Sequence, residues 1–163
     1  MIKLRLFLVV CIVISIVSCD DNQVFDTYHT VANAWEMDEK VSFTLPELDA
    51  SKSYNLFINV RNNNEYKYSN LFLISEMNFP NGKVVTDTIE YRMAAPDGQW
   101  LGTGFSDLKE NKLWYKENVS FKEEGSYSIT LQHAMRKNGE VNGISSLEGI
   151  TDIGFRIENA QNP

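Results

Sequence analysis

Tyr54-Asn55-Leu56-Phe57-Ile58-Asn59-Val60-Arg61 is the stretch on which the fold class turns. Tyr54, Leu56, Ile58 and Val60 alternate with Asn55, Phe57, Asn59 and Arg61. Successive side chains of an extended chain point to opposite faces, so a period of two gives a strand one apolar face. The period recurs on both sides of this stretch. Val41, Phe43 and Leu45 alternate with Ser42 and Thr44 until Pro46 ends the run. Leu71–Phe79 starts apolar on both faces, as a central strand does; Pro80-Asn81-Gly82 makes a turn, and Val84–Tyr91 continues as the next strand. Tyr127, Ile129 and Leu131 alternate with Ser126, Ser128 and Thr130. A last strand places Ile153, Phe155 and Ile157 inward and Asp152, Arg156 and Glu158 outward. Two weaker strands are expected within Lys112–Phe121, and no long segment has a helical period. The prediction is one all-β domain over residues 40–163, an antiparallel β-sandwich of jelly-roll or Ig-like type with seven to eight strands.

Two segments resist the alternation. Residues 19–39 are polar and mixed, and read as a lipidated N-terminus and linker that holds the domain off a membrane. Met93–Asn111 is punctuated by Pro96-Asp97-Gly98, Gly102 and Gly104, and reads as a long loop. Its Trp100, Leu101 and Phe105 either plug the open end of the sandwich or contact a partner.

The N-terminus has its own logic. Lys3 and Arg5 precede an apolar run from Leu6 to Val17, and Ile16-Val17-Ser18-Cys19 closes it. A run of about a dozen residues is short for a hydrocarbon core of roughly 30 Å. Residues 1–18 therefore read as a lipoprotein signal peptide, with Cys19 becoming the lipid-bearing first residue, rather than as a transmembrane anchor beside a coincidental cysteine. At about 0.8 kcal/mol per buried methylene, several acyl chains hold a protein durably to a membrane. Asp20, Asp21 and Asn22 follow as a sorting signal or as the start of a solvated linker, so the choice of inner or outer membrane stays open.

Losing Lys3 and Arg5 with the signal takes the formal net charge from −7 to −9, which argues against nucleic acid as a partner. Cys11 leaves with the signal and Cys19 is lipidated, so the domain has no thiol for a disulfide, a nucleophile or a metal site. His133 continues the inward register of Tyr127, Ile129 and Leu131 and reads as a satisfied core or edge histidine, while His29 falls in the linker. Gly102-Thr103-Gly104 is too short for a phosphate-binding loop, and no serine sits in a Gly-x-Ser-x-Gly elbow. The expectation is a protein that is not an enzyme, with no cofactor, metal or small-molecule substrate.

Three blocks carry a resemblance. The first runs from Tyr54 to Asn62 and through Tyr66 and Tyr68-Ser69-Asn70 into Leu71-Phe72-Leu73. The second is Pro96-Asp97-Gly98-Gln99-Trp100-Leu101-Gly102-x-Gly104. The third is Lys116-Glu117-Asn118-Val119-x-Phe121 with Gly125-x-Tyr127. In this order behind a lipobox they resemble the gliding-motility lipoprotein GldH family of the Bacteroidota, from Cys19 to about Glu158. The resemblance implies a non-enzymatic envelope lipoprotein, a structural or assembly component of the gliding apparatus and the associated type IX secretion machinery. It also implies a membrane contact through lipid on Cys19, with other gliding and secretion proteins as partners. Asn138–Gly149 departs from the resemblance as a longer Gly- and Ser-containing excursion. The alternative is a carbohydrate-binding surface lipoprotein that stacks sugars on Trp35, Trp100 and Trp114.

Overall fold

The computed structural model describes residues 22–160. Cys19, the signal peptide and the Asp20-Asp21 pair lie outside the described residues. Ten strands are present among the described residues: β1 (Gln23–Thr30), β2 (Ala34–Glu36), β3 (Val41–Thr44), β4 (Tyr54–Asn62), β5 (Asn70–Asn78), β6 (Val84–Arg92), β7 (Lys109–Val119), β8 (Ser128–His133), β9 (Ser146–Glu148) and β10 (Ile150–Asn159). Eight of them form two antiparallel four-stranded sheets, β1-β10-β4-β7 and β3-β8-β5-β6, and β2-β9 is a separate two-stranded ribbon. Numbered without the ribbon, the sheet orders are 1-8-3-6 and 2-7-4-5, the jelly-roll arrangement of two interleaved Greek keys. The sandwich is as expected, and of its two expected types this is the jelly roll.

The apolar halves of the alternating runs make the core. Leu56, Ile58, Val60, Ile153, Phe155 and Ile157 from one sheet meet Phe43, Leu71, Leu73, Ile129 and Leu131 from the other, all buried. Phe155 stacks on Phe43 with ring centroids 6.4 Å apart and meets Tyr115 edge-on at 6.3 Å. At the Pro80 turn, Phe79 and Lys83 are joined by a 2.8 Å backbone bond, as the sequence indicated.

Three expectations need correction. The segment 19–39 is not linker throughout: Gln23–Thr30 pairs with β10 from Gln23↔Glu158 to Thr30↔Asp152, so the domain begins at its first described residues. This strand carries only a partial apolar stripe, and the ladder to β10 defines it more than its own alternation does. Secondly, in place of two strands within Lys112–Phe121 there is one long strand, β7, which begins earlier at Lys109 and ends at Val119. Its register against β4 slips twice, between Tyr54 and Leu56 and between Leu56 and Phe57, because bulges place extra β7 residues opposite single β4 residues. Thirdly, the excursion at Asn138–Gly149 is partly ordered as β9, whose Leu147 lies opposite Trp35. Trp35 and Leu147 are both fully buried and supply the plug for this end of the sandwich.

The strand directions give the body two ends. Asn22, Tyr54, Val119 and Asn159 lie together at one, the tether end, and Thr30, Asn62, Lys109 and Ile150 at the other, the far end. The β2-β9 ribbon and the loop between β6 and β7 belong to the far end.

Candidate functional surface

The outer face of the β1-β10-β4-β7 sheet is built in three cross-strand rows: Thr30–Asp152–Arg61–Glu110, Tyr28–Gly154–Asn59–Lys112 and Asp26–Arg156–Phe57–Trp114. An outer face is ordinarily solvated, yet Phe57 is 3% and Asn59 1% exposed. What covers them is the sheet's own side chains. Gly154 makes room for Tyr28: a Cβ there would lie 2.8 Å from the ring carbons, so only glycine lets the tyrosine lie across β10. Tyr28 thereby reaches β7, where its hydroxyl donates to Glu110 Oε1 at 2.8 Å. The same hydroxyl accepts from Asn59 Nδ2 at 2.9 Å. Arg61 completes the patch, its Nε donating to Glu110 Oε2 at 2.9 Å and its guanidinium carbon 3.9 Å from the Tyr28 ring centroid. Burial first, then the bond to Glu110, pushes the Tyr28 hydroxyl well above its ordinary range. Asn59 also donates to Asp26 at 3.2 Å, and its buried Oδ1 has no hydrogen-bond partner among the described residues.

The neighbouring row is ionic. Arg156 donates to Asp26 Oδ2 at 2.7 Å and pairs with Glu158, which Lys112 also contacts at 2.6 Å. Burial opposes the Arg156 charge, but Glu158 and Asp26 outweigh it and raise the group above its ordinary range. Lys112 Nζ sits 4.1 Å from the Phe57 ring centroid, and Trp114 lies 4.4 Å from the same ring. Trp114, one of the three tryptophans named as candidate sugar platforms, is 56% exposed. It borders a depression of about 480 Å³ that Asn55, Glu117, Asn118 and Glu158 also line.

The far-end loop is a braced hairpin. Thr103 and Glu110 exchange backbone bonds of 2.9 and 2.7 Å. At Gly104, with φ +155°, a Cβ would meet the Leu108 carbonyl oxygen at 2.2 Å, so the tip closes only with glycine. Trp100 Nε1 donates to Asn64 Oδ1 at 3.2 Å, Asn64 donates to Asp107 at 3.0 Å, and the Trp100 ring packs 6.2 Å from Tyr66. Trp100 is thus half-buried against the domain. Leu101 is 53% and Phe105 96% exposed, with Leu108 beside them at 44%. The three predicted loop residues are accordingly divided, one bracing the hairpin and two on its surface.

Of the remaining candidates, Trp35 is removed from any surface role by complete burial, its Nε1 donating to the Glu39 carbonyl at 3.0 Å. His29 is on β1 and exposed, its Nε2 3.6 Å from Glu39 Oε1. His133 is in the core, edge-on to Trp35 at 5.4 Å, but contrary to expectation its ring nitrogens lack good hydrogen-bond partners among the described residues. A depression of about 720 Å³ at the tether end is lined in part by Glu47, Asp49, Glu123 and Glu124. Among the described residues no three His, Cys, Asp or Glu side chains form a group that could hold a metal ion. The same residues include no helix long and apolar enough to cross a membrane.

The family model described as GldH lipoprotein matches residues 23–157. The chain is 56% identical over 156 residues to a protein of Christiangramia forsetii named "Gliding motility lipoprotein GldH homolog", covering 96% of each chain. It is 52% identical over 141 residues to the "Gliding motility lipoprotein GldH" of Flavobacterium johnsoniae, covering 86% of this chain and 87% of that one. Among solved structures, the VP2 subviral particle of infectious bursal disease virus matches with a TM-score of 0.38 and 16% identity, over 88% of this chain and 34% of the viral one.

Proposed function

This chain belongs to the GldH lipoprotein family, and from that premise we propose that it is a non-enzymatic, lipid-anchored component of the gliding-motility apparatus and its associated type IX secretion. Cys19 carries the lipid, and of the loop residues Trp100, Leu101 and Phe105 the exposed Leu101 and Phe105 supply the contact to another envelope protein of the machine, with Trp100 bracing the loop that presents them. The observation that supports this reading best is the family match across both sheets behind the lipobox.

The geometry adds a direction. Two residues, Asp20 and Asp21, separate Cys19 from Asn22, and the three Cα–Cα steps reach at most roughly 11 Å, so the tether end of the sandwich sits close to the bilayer. The ten residues of β10 span about 30 Å towards the far end, which turns Leu101 and Phe105 away from the membrane. A nearly bare phenylalanine on a braced loop offers its whole apolar surface for burial while the backbone that carries it has little freedom left to lose on docking, as suits an anchor residue of an interface.

The test is a gene deletion complemented with wild type, Cys19→Ala or the Leu101→Ser/Phe105→Ser double variant, scored for colony spreading and secreted proteome. Both outputs should fail in the deletion, return with wild type, and stay low with either variant while the double variant accumulates to normal levels. Normal spreading and secretion in the deletion strain would overturn the reading. Full rescue by the double variant would remove the loop from it.

A further inference from the structure

We propose that the depression around Trp114, at the tether end of the β1-β10-β4-β7 sheet, binds one ring of a neutral saccharide. The proposal stands apart from the gliding reading, since it uses neither the far-end loop nor the lipid.

The first argument is the direction of Trp114. The flat C–H face of a pyranose ring needs an exposed aromatic platform, and Trp114 is the most exposed tryptophan among the described residues. Phe57 packs against it at 4.4 Å between ring centroids and is itself covered by Lys112 Nζ, 4.1 Å from the Phe57 centroid. The platform is therefore held in place before any ligand arrives, which lowers the ordering cost of binding.

The second argument is the polar rim. The bulges in β7 carry the chain round so that Glu117 and Asn118 line the same depression as Trp114. Asn118 adopts φ 54°, in the left-handed region, and its N–H donates to Asn55 Oδ1 at 3.1 Å. That bond ties the rim across to β4. Amides both donate and accept, and a carboxylate accepts twice, so Asn55, Asn118 and Glu117 suit vicinal hydroxyls.

Charge narrows the class. Lys112 is already engaged by Glu158 at 2.6 Å, and Glu117 adds a further negative charge. A phosphate, a uronic acid or an anionic headgroup would meet like charge here, which leaves a neutral or N-acetylated sugar.

The experiment titrates the full-length protein in detergent with neutral tetrasaccharides built from glucose, mannose, galactose or N-acetylglucosamine. Tryptophan fluorescence and calorimetry are the readouts. At least one tetrasaccharide should bind saturably, and Trp114→Ala should weaken it at least about tenfold. Glu117→Gln should weaken the same ligand, whereas Trp100→Ala should leave it unchanged. Unaltered thermal unfolding of Trp114→Ala and Glu117→Gln separates loss of binding from loss of fold. Absence of binding across the panel, or binding indifferent to Trp114→Ala, overturns the proposal. So does a Trp114-dependent response to phosphatidylethanolamine vesicles with none to any sugar, which would make the depression a membrane contact.

Discussion

On its inner face β4 buries Tyr54, Leu56, Ile58 and Val60 among apolar side chains of the opposite sheet, whereas on its outer face it buries Phe57 and Asn59 just as deeply beneath neighbours in its own sheet. The inner face is held by area and shape. The outer face is held by a lying tyrosine, a glycine that admits it, and carboxylates that answer Arg61 and Arg156. Burial on the inner side follows from residue type and period, and on the outer side from which residues of distant strands share a row. The first kind of burial resists everything except a change of volume. The second depends on pairwise geometry, so single polar atoms matter in it.

The sharpest break on the inner side is Phe155→Ala. Phe155 is fully buried between Phe43 and Tyr115, so its loss leaves a cavity that the two sheets can close only in part. The expected cost is about 3–5 kcal/mol, a fall in Tm of roughly 10 °C in thermal unfolding followed by circular dichroism. A fall of only a degree or two would mean that the inner face adapts as a liquid would, and the contrast would be lost.

Smaller effects are expected on the outer side, but coupled ones. Asn59→Ala removes bonds to Tyr28 and Asp26 and should cost about 1–2 kcal/mol. Tyr28→Phe should cost about 1 kcal/mol. Because both touch one hydroxyl, the double variant should depart from the sum by at least about 0.5 kcal/mol in denaturant unfolding. Strict additivity would show that the outer face is a set of independent surface contacts.

This division also accounts for what could be read in advance. The alternation of Tyr54–Val60, Val41–Leu45 and Ile153–Ile157 located inner-face strands because hydrophobicity with a period of two is a local signal. The outer rows assemble Tyr28, Gly154, Asn59 and Lys112 from four strands that are far apart in sequence, so no window along the chain contains them. β1 escaped for the same reason, its order coming from β10. Trp114 could be named from its residue type but not told apart from Trp35 and Trp100, because the bulges break the β7 ladder and parity along the strand alone does not report which side of the sheet is open. The loop at Met93–Asn111 was legible as a loop from its prolines and glycines, but not the division of its apolar residues, which depends on Asn64 bracing Trp100. Nor could Trp35 be recognised as the plug, since its partner Leu147 is over a hundred residues away.

The smallest expected effect tests the inner face where it breaks its own rule. His133 lies on that face, 1% exposed, and among the described residues neither ring nitrogen has a partner of good hydrogen-bond geometry. Burial pushes its imidazole below the ordinary histidine range, and the Trp35 backbone and the Glu36 carboxylate offset this only in part. The unfolded chain therefore binds a proton that the folded one refuses. The contribution to stability is complete above the unfolded value, about 6.5, and is lost progressively as pH falls below it. Carboxylates elsewhere titrate too, so the informative quantity is the difference between wild type and His133→Phe. The difference should stay constant above about pH 7.5 and shift below pH 6.5 in favour of the phenylalanine variant. A difference flat down to pH 5 would mean that His133 finds a partner for its proton, and that the inner face tolerates charge as the outer face does.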